Sequence, residues 1–291
     1  MSWGKKFHNL QIAGNPSTRG RPLTPTPYVH GRSDREADRL SYQASRLADL
    51  LHHGTRYPPG SRVLEAACGV GAQTVLLAQN SPDASFVSMD ISTHSLKQAK
   101  RRLMEEGYFN VAFHLADVSS LPYKPETFDH VFVCFLLEHL PHPLQALQQL
   151  KAVLRPRGTI TVIEGDHGSA FFYPDSPDAH RVIRCLIELQ KNAGGNALIG
   201  RELWHLISGA GFSPVTISPR TVYADASRPE YGEGVRKIFI AMVEGVREEA
   251  LRQGLVEEDT WKRGIRDLYR TTEGGGTFTY TFFKAIGVKK E

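Results

Sequence analysis

The sequence predicts a doubly wound α/β fold carrying a helical addition, and three observations support that expectation. Short apolar runs alternate with amphipathic stretches of about 10 to 15 residues between roughly residues 60 and 165, the pattern of a parallel sheet covered on both faces. An apolar run at Arg62 to Ala66 passes through small residues straight into a helical pattern. A closing run, Thr277 to Ile286, is rich in Thr, Phe and Tyr and strongly β in character, and it follows a helix-rich block.

The elements follow in order. Residues up to Pro27 hold Gly14, Pro16, Gly20, Pro22 and Pro25 without periodicity and read as irregular. From Ser33 to His52, Ala37, Leu40, Ala44, Leu47 and Leu51 recur at helical spacing, with Ser33 as N-cap and Glu36 completing a capping box. Tyr57-Pro58-Pro59-Gly60 breaks the chain. Strands are then predicted at Arg62–Ala66, Ser85–Met89, Val111–Leu115, within the run Val131–Leu137, and at Thr159–Ile163. Helices are predicted at Ala72–Asn80, Thr93–Glu106 and Pro143–Val153. Beyond Gly168 the alternation stops: helices at Asp178–Asn192 and Gly200–Ala210 precede a strand at Val215–Val222. A helical block, Pro229 to Thr272, then leads to the closing strand. The expected organisation is a flexible, basic segment over 1–32 that could act as a lid, a core over 33–228 and 273–291, and a helical cap over 229–272.

Composition sets the outer limits. The 291 residues carry 35 Lys plus Arg against 31 Asp plus Glu, a net +4, with 41% hydrophobic and 23% charged residues. That is ordinary globular usage and disfavours disorder or coiled coil, while the mild charge does not call for a polyanionic partner. The odd, scattered cysteines Cys68, Cys134 and Cys185 form no disulfide or zinc pattern, so a reducing, cytoplasmic setting and no metal are expected. Val131 to Leu137, the longest apolar run, falls far short of the roughly 20 residues of a membrane span. The first 33 residues hold Lys5, Lys6, Arg19, Arg21 and Arg32 without an acid, yet lack the apolar centre of a secretory signal.

The most informative segment is Glu65-Ala66-Ala67-Cys68-Gly69-Val70-Gly71. Small residues between a buried strand and a helix let backbone approach a ligand and turn the helix N-terminal amides toward it. Asp90 ends the next strand about 20 residues on, where a carboxylate can accept both ribose hydroxyls. A dinucleotide fingerprint would set a third small residue against pyrophosphate; here Glu65 stands near that place and would repel it. A ligand bearing an amino group and a sulfonium suits an acid instead.

These residues resemble the class I S-adenosylmethionine-dependent methyltransferases. Glu65 to Gly71 matches the family's acid-GxGxG motif with Ala67 in place of the first glycine, and Asp90 in Ser88-Met89-Asp90-Ile91-Ser92 matches its second acid. Leu115-Ala116-Asp117-Val118 matches the third-strand motif, Phe128 to Cys134 followed by Leu137-Glu138-His139-Leu140 the fourth strand, and Leu154 to Thr159 the turn before the fifth. The resemblance implies a Rossmann-like seven-stranded sheet with an antiparallel seventh strand, and S-adenosylmethionine as cofactor. It implies cofactor contacts at Glu65, Ala67, Gly69, Gly71, Asp90, Ile91, Asp117, Val118 and Cys134. Tyr28, near His30 just ahead of the first helix, becomes a lid candidate, and Gln43, one turn from Arg39, a candidate for the methionine carboxylate.

The acceptor side belongs at the C-terminal strand ends. That nominates Glu138, His139, Glu164, Asp166 and His167, with His167, Glu164 and His139 as catalytic candidates. A histidine that titrates near neutrality suits proton removal from oxygen or nitrogen, with a carboxylate to hold its tautomer. Phe171-Phe172-Tyr173, with Tyr223, Tyr231, Tyr280 and Phe282, suggests an aromatic wall. The expected activity is methyl transfer to a small, apolar organic molecule at O, N or C. Nucleic-acid methylation lacks its Asn/Asp-Pro-Pro-aromatic motif after the fourth strand, where the chain reads Cys134-Phe135-Leu136-Leu137. A non-catalytic cofactor-binding scaffold stays open. The long insertion suggests a homo-oligomer.

Overall fold

The structure is a computed structural model that describes residues 11–12, 47–227 and 229–291. Among the described residues nine strands form one sheet. Its centre is five parallel strands, β2 (Arg62–Ala66), β3 (Ser85–Asp90), β4 (Val111–Leu115), β5 (Phe128–Cys134) and β6 (Leu154–Gly165), and β1 (Gln11–Ile12) joins β4 in parallel. With β7 (Phe171–Tyr173), β8 (Phe212–Ala224) and β9 (Thr277–Lys289), the order is β1-β4-β3-β2-β5-β6-β9-β7, and β8 pairs with β9. β9 runs antiparallel to β6, β7 and β8. Its place between β6 and β8 reproduces the antiparallel strand expected from sequence, and the short β1 and β7 extend the seven strands to nine.

The helices cover both faces. Residues 47–52 form the described part of α1, the end of the helix expected from Ser33; residues 33–46 of that expectation lie outside the described residues. α2 (Ala72–Asn80) and α3 (Thr93–Glu105) follow β2 and β3. In α3, Ser92 Oγ accepts from the Ser95 amide, and Leu96, Ala99 and Leu103 point to the sheet. They pack on Val63, Phe86 and Phe132, whereas α4 (Pro143–Val153) and α6 (Leu203–Gly209) pack on Leu64, Val131 and Val162 of the other face. The reversal of winding between β2 and β5 opens a crevice at the C-terminal ends of those two strands. α1 is pinned from below by a buried cation: Lys284 Nζ on β9 donates to His53 O at 2.9 Å and Thr55 Oγ1 at 2.5 Å.

The cap draws on two separate stretches of chain. α5 (Pro177–Asn192) packs against α7 (Pro229–Glu244), α8 (Arg247–Arg252) and α9 (Glu258–Arg270). Gly264 makes the α5–α9 contact possible, since a Cβ there would stand 2.5 Å from Asp178 O. Ser176, the N-cap of α5, also donates to Asp267 of α9 at 2.6 Å. Phe278, Tyr280 and Phe282 of β9 are buried in one core with Phe239, Val243, Trp261 and Leu268 of the cap helices.

One expectation is met and another changes. The fourth-strand match, Phe128 to Cys134, is β5; the rest of the apolar run leaves the sheet, with Phe135 at a left-handed φ of 54° and Leu137–His139 in a 3-10 turn. The supposed aromatic wall is β7, where Phe172 is buried but Phe171 and Tyr173 are 67% and 63% exposed, as is Tyr223 at 55%. Successive strand residues face opposite ways. No described helix is long and apolar enough to cross a membrane, and the described residues hold no cluster of His, Cys, Asp and Glu suited to a metal.

Candidate active site

At the end of β2 the chain makes a turn that only small residues tolerate. Ala67, Gly69 and Gly71 have φ of 59°, 53° and 79°, the left-handed region. Gly71 is the N-cap of α2, and a Cβ on it would stand 2.9 Å from Ala99 Cα, so helix and turn touch through backbone. A Cβ on Gly69 would meet nothing within 4 Å, which leaves a cradle over its backbone. Ala67 stands where glycine would be unstrained. Ala67→Gly is expected to raise unfolding free energy by about 1 kcal/mol, the left-handed cost of alanine less the extra chain entropy of glycine, as read by chemical denaturation.

Asp90 ties this turn to the next strand. Its Oδ2 accepts from Gly69 N–H at 2.9 Å and its Oδ1 from Ser92 N–H at 2.8 Å. The two amides use two of the roughly four acceptor positions of a carboxylate. Because Ser92 caps α3, Asp90 is not needed as that helix's cap. Asp117 follows β4, beside Asp90 through the Ala116 N–H to Asp90 O bond of 3.1 Å, and shapes its own loop by accepting from Ser119 N–H at 2.8 Å. Ile91 and Val118 follow the two acids at the same end of the sheet. Cys134 ends β5; burial foremost, then the charge of Glu164, pushes its thiol pKa well up, so it stands at the strand end as a neutral group. Tyr28 and Gln43 lie outside the described residues.

Glu65 sits under the turn rather than in the cleft. It is 2% exposed, and its Oε2 accepts from Thr74 Oγ1 at 2.8 Å and Ser88 Oγ at 2.6 Å. Pairing of Glu65 with Ser88 in the β2–β3 register makes this contact inevitable. Burial raises its pKa from 4.5 to about 7. A carboxyl with a raised folded-state pKa contributes stability that is complete below its unfolded pKa and fades as pH rises through its folded pKa. At about 1.4 kcal/mol per pH unit, about 3 kcal/mol is lost between the two values. Glu65→Gln should abolish this fall in the ligand-free protein, as followed by urea melts at several pH values.

A second cluster lies one strand over. The chain leaves β9 after the Gly165–Phe282 pair and rejoins it at Phe171–Thr279, so the intervening residues bulge and carry His167. His167 is buried, its Nδ1 is 2.7 Å from Tyr280 OH, and its Nε2 is 3.8 Å from Glu138 Oε2. Glu138 Oε1 lies 3.5 Å from His139 Nε2, and Oε2 accepts from Gln190 Nε2 at 3.1 Å. Glu164, completely buried, accepts the amides of Leu136 at 3.0 Å and Leu137 at 2.7 Å through Oε1. Burial, and next the charge of Glu138, raises its pKa well above the carboxylate range. Asp166 is committed elsewhere: it pairs with Arg201 through two bonds of 2.6 and 2.7 Å and accepts from Gly168 N–H.

The structure thus brings together the nominated His167, Glu138 and His139, and places Glu164 behind them as the anchor of the turn that bears Glu138. Sequence reasoning missed Gln190 and Arg201, which clamp the two turns. Gln190 had a readable signal, since it falls four residues after Leu186 on the apolar stripe of α5 and is 1% exposed. Arg201 had none.

Comparison with known proteins agrees with this fold. A family model described as a methyltransferase domain matches residues 58–194. The chain is 31% identical over 182 residues to an uncharacterized 37.1 kDa protein in transposon TN4556 of Streptomyces fradiae, a match covering 62% of this chain and 51% of that protein. It is 28% identical over 229 residues to 27-O-demethylrifamycin SV methyltransferase of Amycolatopsis mediterranei, covering 77% of each. The chain spans about half the length of several curated relatives. Among solved structures, phosphoethanolamine N-methyltransferase 2 of Haemonchus contortus, with S-adenosylhomocysteine bound, superposes with a TM-score of 0.55 at 15% identity, covering 92% of this chain and 62% of that one. The cradle at Gly69 and the carboxylate of Asp90 at the adjoining strand end fit S-adenosylmethionine, whose ribose offers two hydroxyls to one acid. By family model and fold, the chain is similar to the class I S-adenosylmethionine-dependent methyltransferases, with the matched methyltransferase domain at residues 58–194.

Proposed function

We propose that the protein methylates a small organic molecule with an apolar body and a nucleophilic oxygen or nitrogen. The observation that carries this reading is the neighbourhood, at one end of the sheet, of the glycine turn with Asp90 and the buried Glu138–His167 pair. S-adenosylmethionine supplies a methyl group already activated by its sulfonium, so the protein's part is to bind, orient and remove a proton. Asp90 would hold the ribose, Asp117 and Val118 the adenine side, and the 67–71 turn the methionine. Cys134 and Phe135 would border the reacting end, where the Phe135 ring lies 5.8 Å from that of Phe282. Phe239 of α7 packs on both His167 and Tyr280, which favours an acceptor whose bulk is apolar. The Amycolatopsis relative, named as a 27-O-demethylrifamycin SV methyltransferase, supports a small-molecule acceptor.

The test has two stages. Calorimetry with S-adenosylmethionine should give a saturable isotherm, and a folded wild type that binds none would end the reading. Labelled-methyl transfer is then measured to a bulky phenol, a naphthoquinol and a small polar amine. Turnover of the bulky hydroxyl compounds supports an apolar acceptor; turnover of the amine alone overturns that part, and methyl appearing on ring carbon would assign carbon as the target.

A further inference from the structure

We propose that Glu138, rather than His167, receives the proton of the acceptor, and that Tyr280 fixes this by holding the His167 ring with its own proton on Nε2. The proposal rests on the methyl-transfer reading but concerns side chains whose state can be observed without an acceptor.

Tyr280 comes from β9, His167 from the bulge after β6 and Glu138 from the turn after β5. The Tyr280 hydroxyl is 2.7 Å from Nδ1. Burial raises the phenol pKa well above its ordinary value, and the Asp166 backbone amide donates to the same oxygen. The phenol therefore keeps its one proton and must place it on an acceptor. Among the described residues Nδ1 is the acceptor within reach, and a buried O–H without an acceptor is costly. With Nδ1 accepting, a neutral imidazole carries its proton on Nε2. That nitrogen stands 3.8 Å from Glu138 Oε2, where an N–H is attracted to the carboxylate and a lone pair would be repelled.

Nδ1 is then taken by the Tyr280 hydroxyl and Nε2 carries the ring proton facing Glu138, so the lone pairs that can take up the acceptor's proton lie on the Glu138 carboxylate. The second carboxyl, Glu164, is held neutral by burial and by the charge of Glu138. Among the described residues, His139 Nε2 lies 3.5 Å from Glu138 Oε1 and Gln190 Nε2 donates to Oε2 at 3.1 Å. In the reaction the acceptor's O–H or N–H bond would break and its proton bond to a Glu138 oxygen; the electron pair left on the acceptor atom would form the bond to the methyl carbon, whose bond to sulfur would break with its pair returning to the sulfonium to give S-adenosylhomocysteine. His167 and Tyr280 act through Glu138 as positioning residues.

The first measurement is the long-range proton–nitrogen spectrum of the full chain with ring-labelled histidine near neutral pH, with His167 assigned by its loss in His167→Gln. A neutral ring protonated at Nε2 is expected, as is transfer of that proton toward Nδ1 in Tyr280→Phe. A wild-type ring protonated at Nδ1, or an imidazolium, overturns the proposal, as does a spectrum unchanged in a folded Tyr280→Phe. If that variant does not fold, the wild-type spectrum decides. Calorimetry with S-adenosylhomocysteine on the same samples separates this outcome from failure of the cofactor reading. The second measurement uses whichever phenol or amine turns over in the transfer assay. Glu138→Gln should lose at least about a hundredfold in kcat, the lower end for a general base. His167→Gln, which keeps an N–H but offers no basic nitrogen, should lose far less; equal losses overturn the assignment.

Discussion

Asp90→Ala is expected to weaken S-adenosylmethionine binding between about a hundredfold and ten-thousandfold. A charge-assisted hydrogen bond contributes about 1.5 to 3 kcal/mol, and a ribose diol would make two with this carboxylate, with tenfold in affinity for every 1.4 kcal/mol or so. The variant also removes the acceptor of the Gly69 and Ser92 amides, so the turn loses its registration against β3 as well as its ligand contact. Asp90→Asn keeps one acceptor oxygen and should fall between. Calorimetry on folded samples checks both, and an Asp90→Ala affinity within a few-fold of wild type would place the ribose elsewhere.

Glu164 should show the largest effect on folding. Its Oε1 is the acceptor of the Leu136 and Leu137 amides, and these hold the turn that follows the left-handed Phe135. Glu164→Ala leaves both amides buried without a partner, at about 1 to 3 kcal/mol each, so a loss of about 3 kcal/mol or more is expected by denaturant titration. Glu164→Gln retains the accepting oxygen and mimics the neutral acid, and should stay within about 1 kcal/mol of wild type near neutral pH. The pH dependence separates the two roles. Because the folded state raises this pKa, its contribution is complete below the ordinary carboxylate value and declines as pH rises through the folded value. Glu164→Gln should therefore gain on the wild type toward alkaline pH. An alanine variant as stable as wild type would show that the turn does not depend on this carboxyl.

The strand–turn–helix frame of the proposed cofactor half was legible before any coordinate, and the arrangement at the ends of β5 and β6 much less so. The Glu65–Gly71 turn and Asp90 are neighbours through one strand–helix–strand unit, and such units obey local rules: apolar spacing sets strand and helix, small residues set the turn, and the next parallel strand brings its terminal acid alongside. The structure bears these relations out in the Gly69–Asp90 bond. The histidine and carboxylates at the ends of β5 and β6 could be nominated by the same topology, though not their roles. Asp166 and His167 are adjacent in sequence, yet one pairs with Arg201 and the other meets Tyr280 and Glu138.

By itself, then, the sequence determined the alternating core and the small-residue turn beside Asp90, because each is specified by periodicity and motif within a few tens of residues, while the antiparallel return followed from the family resemblance. Only the tertiary structure decided the acceptor end. Tyr280 is 113 residues from His167, and their contact depends on the register of β9 against β6, the bulge before β7, and the packing of α5 with the cap helices. Register is set by summed burial over whole strands and faces, so no single window of sequence contains it.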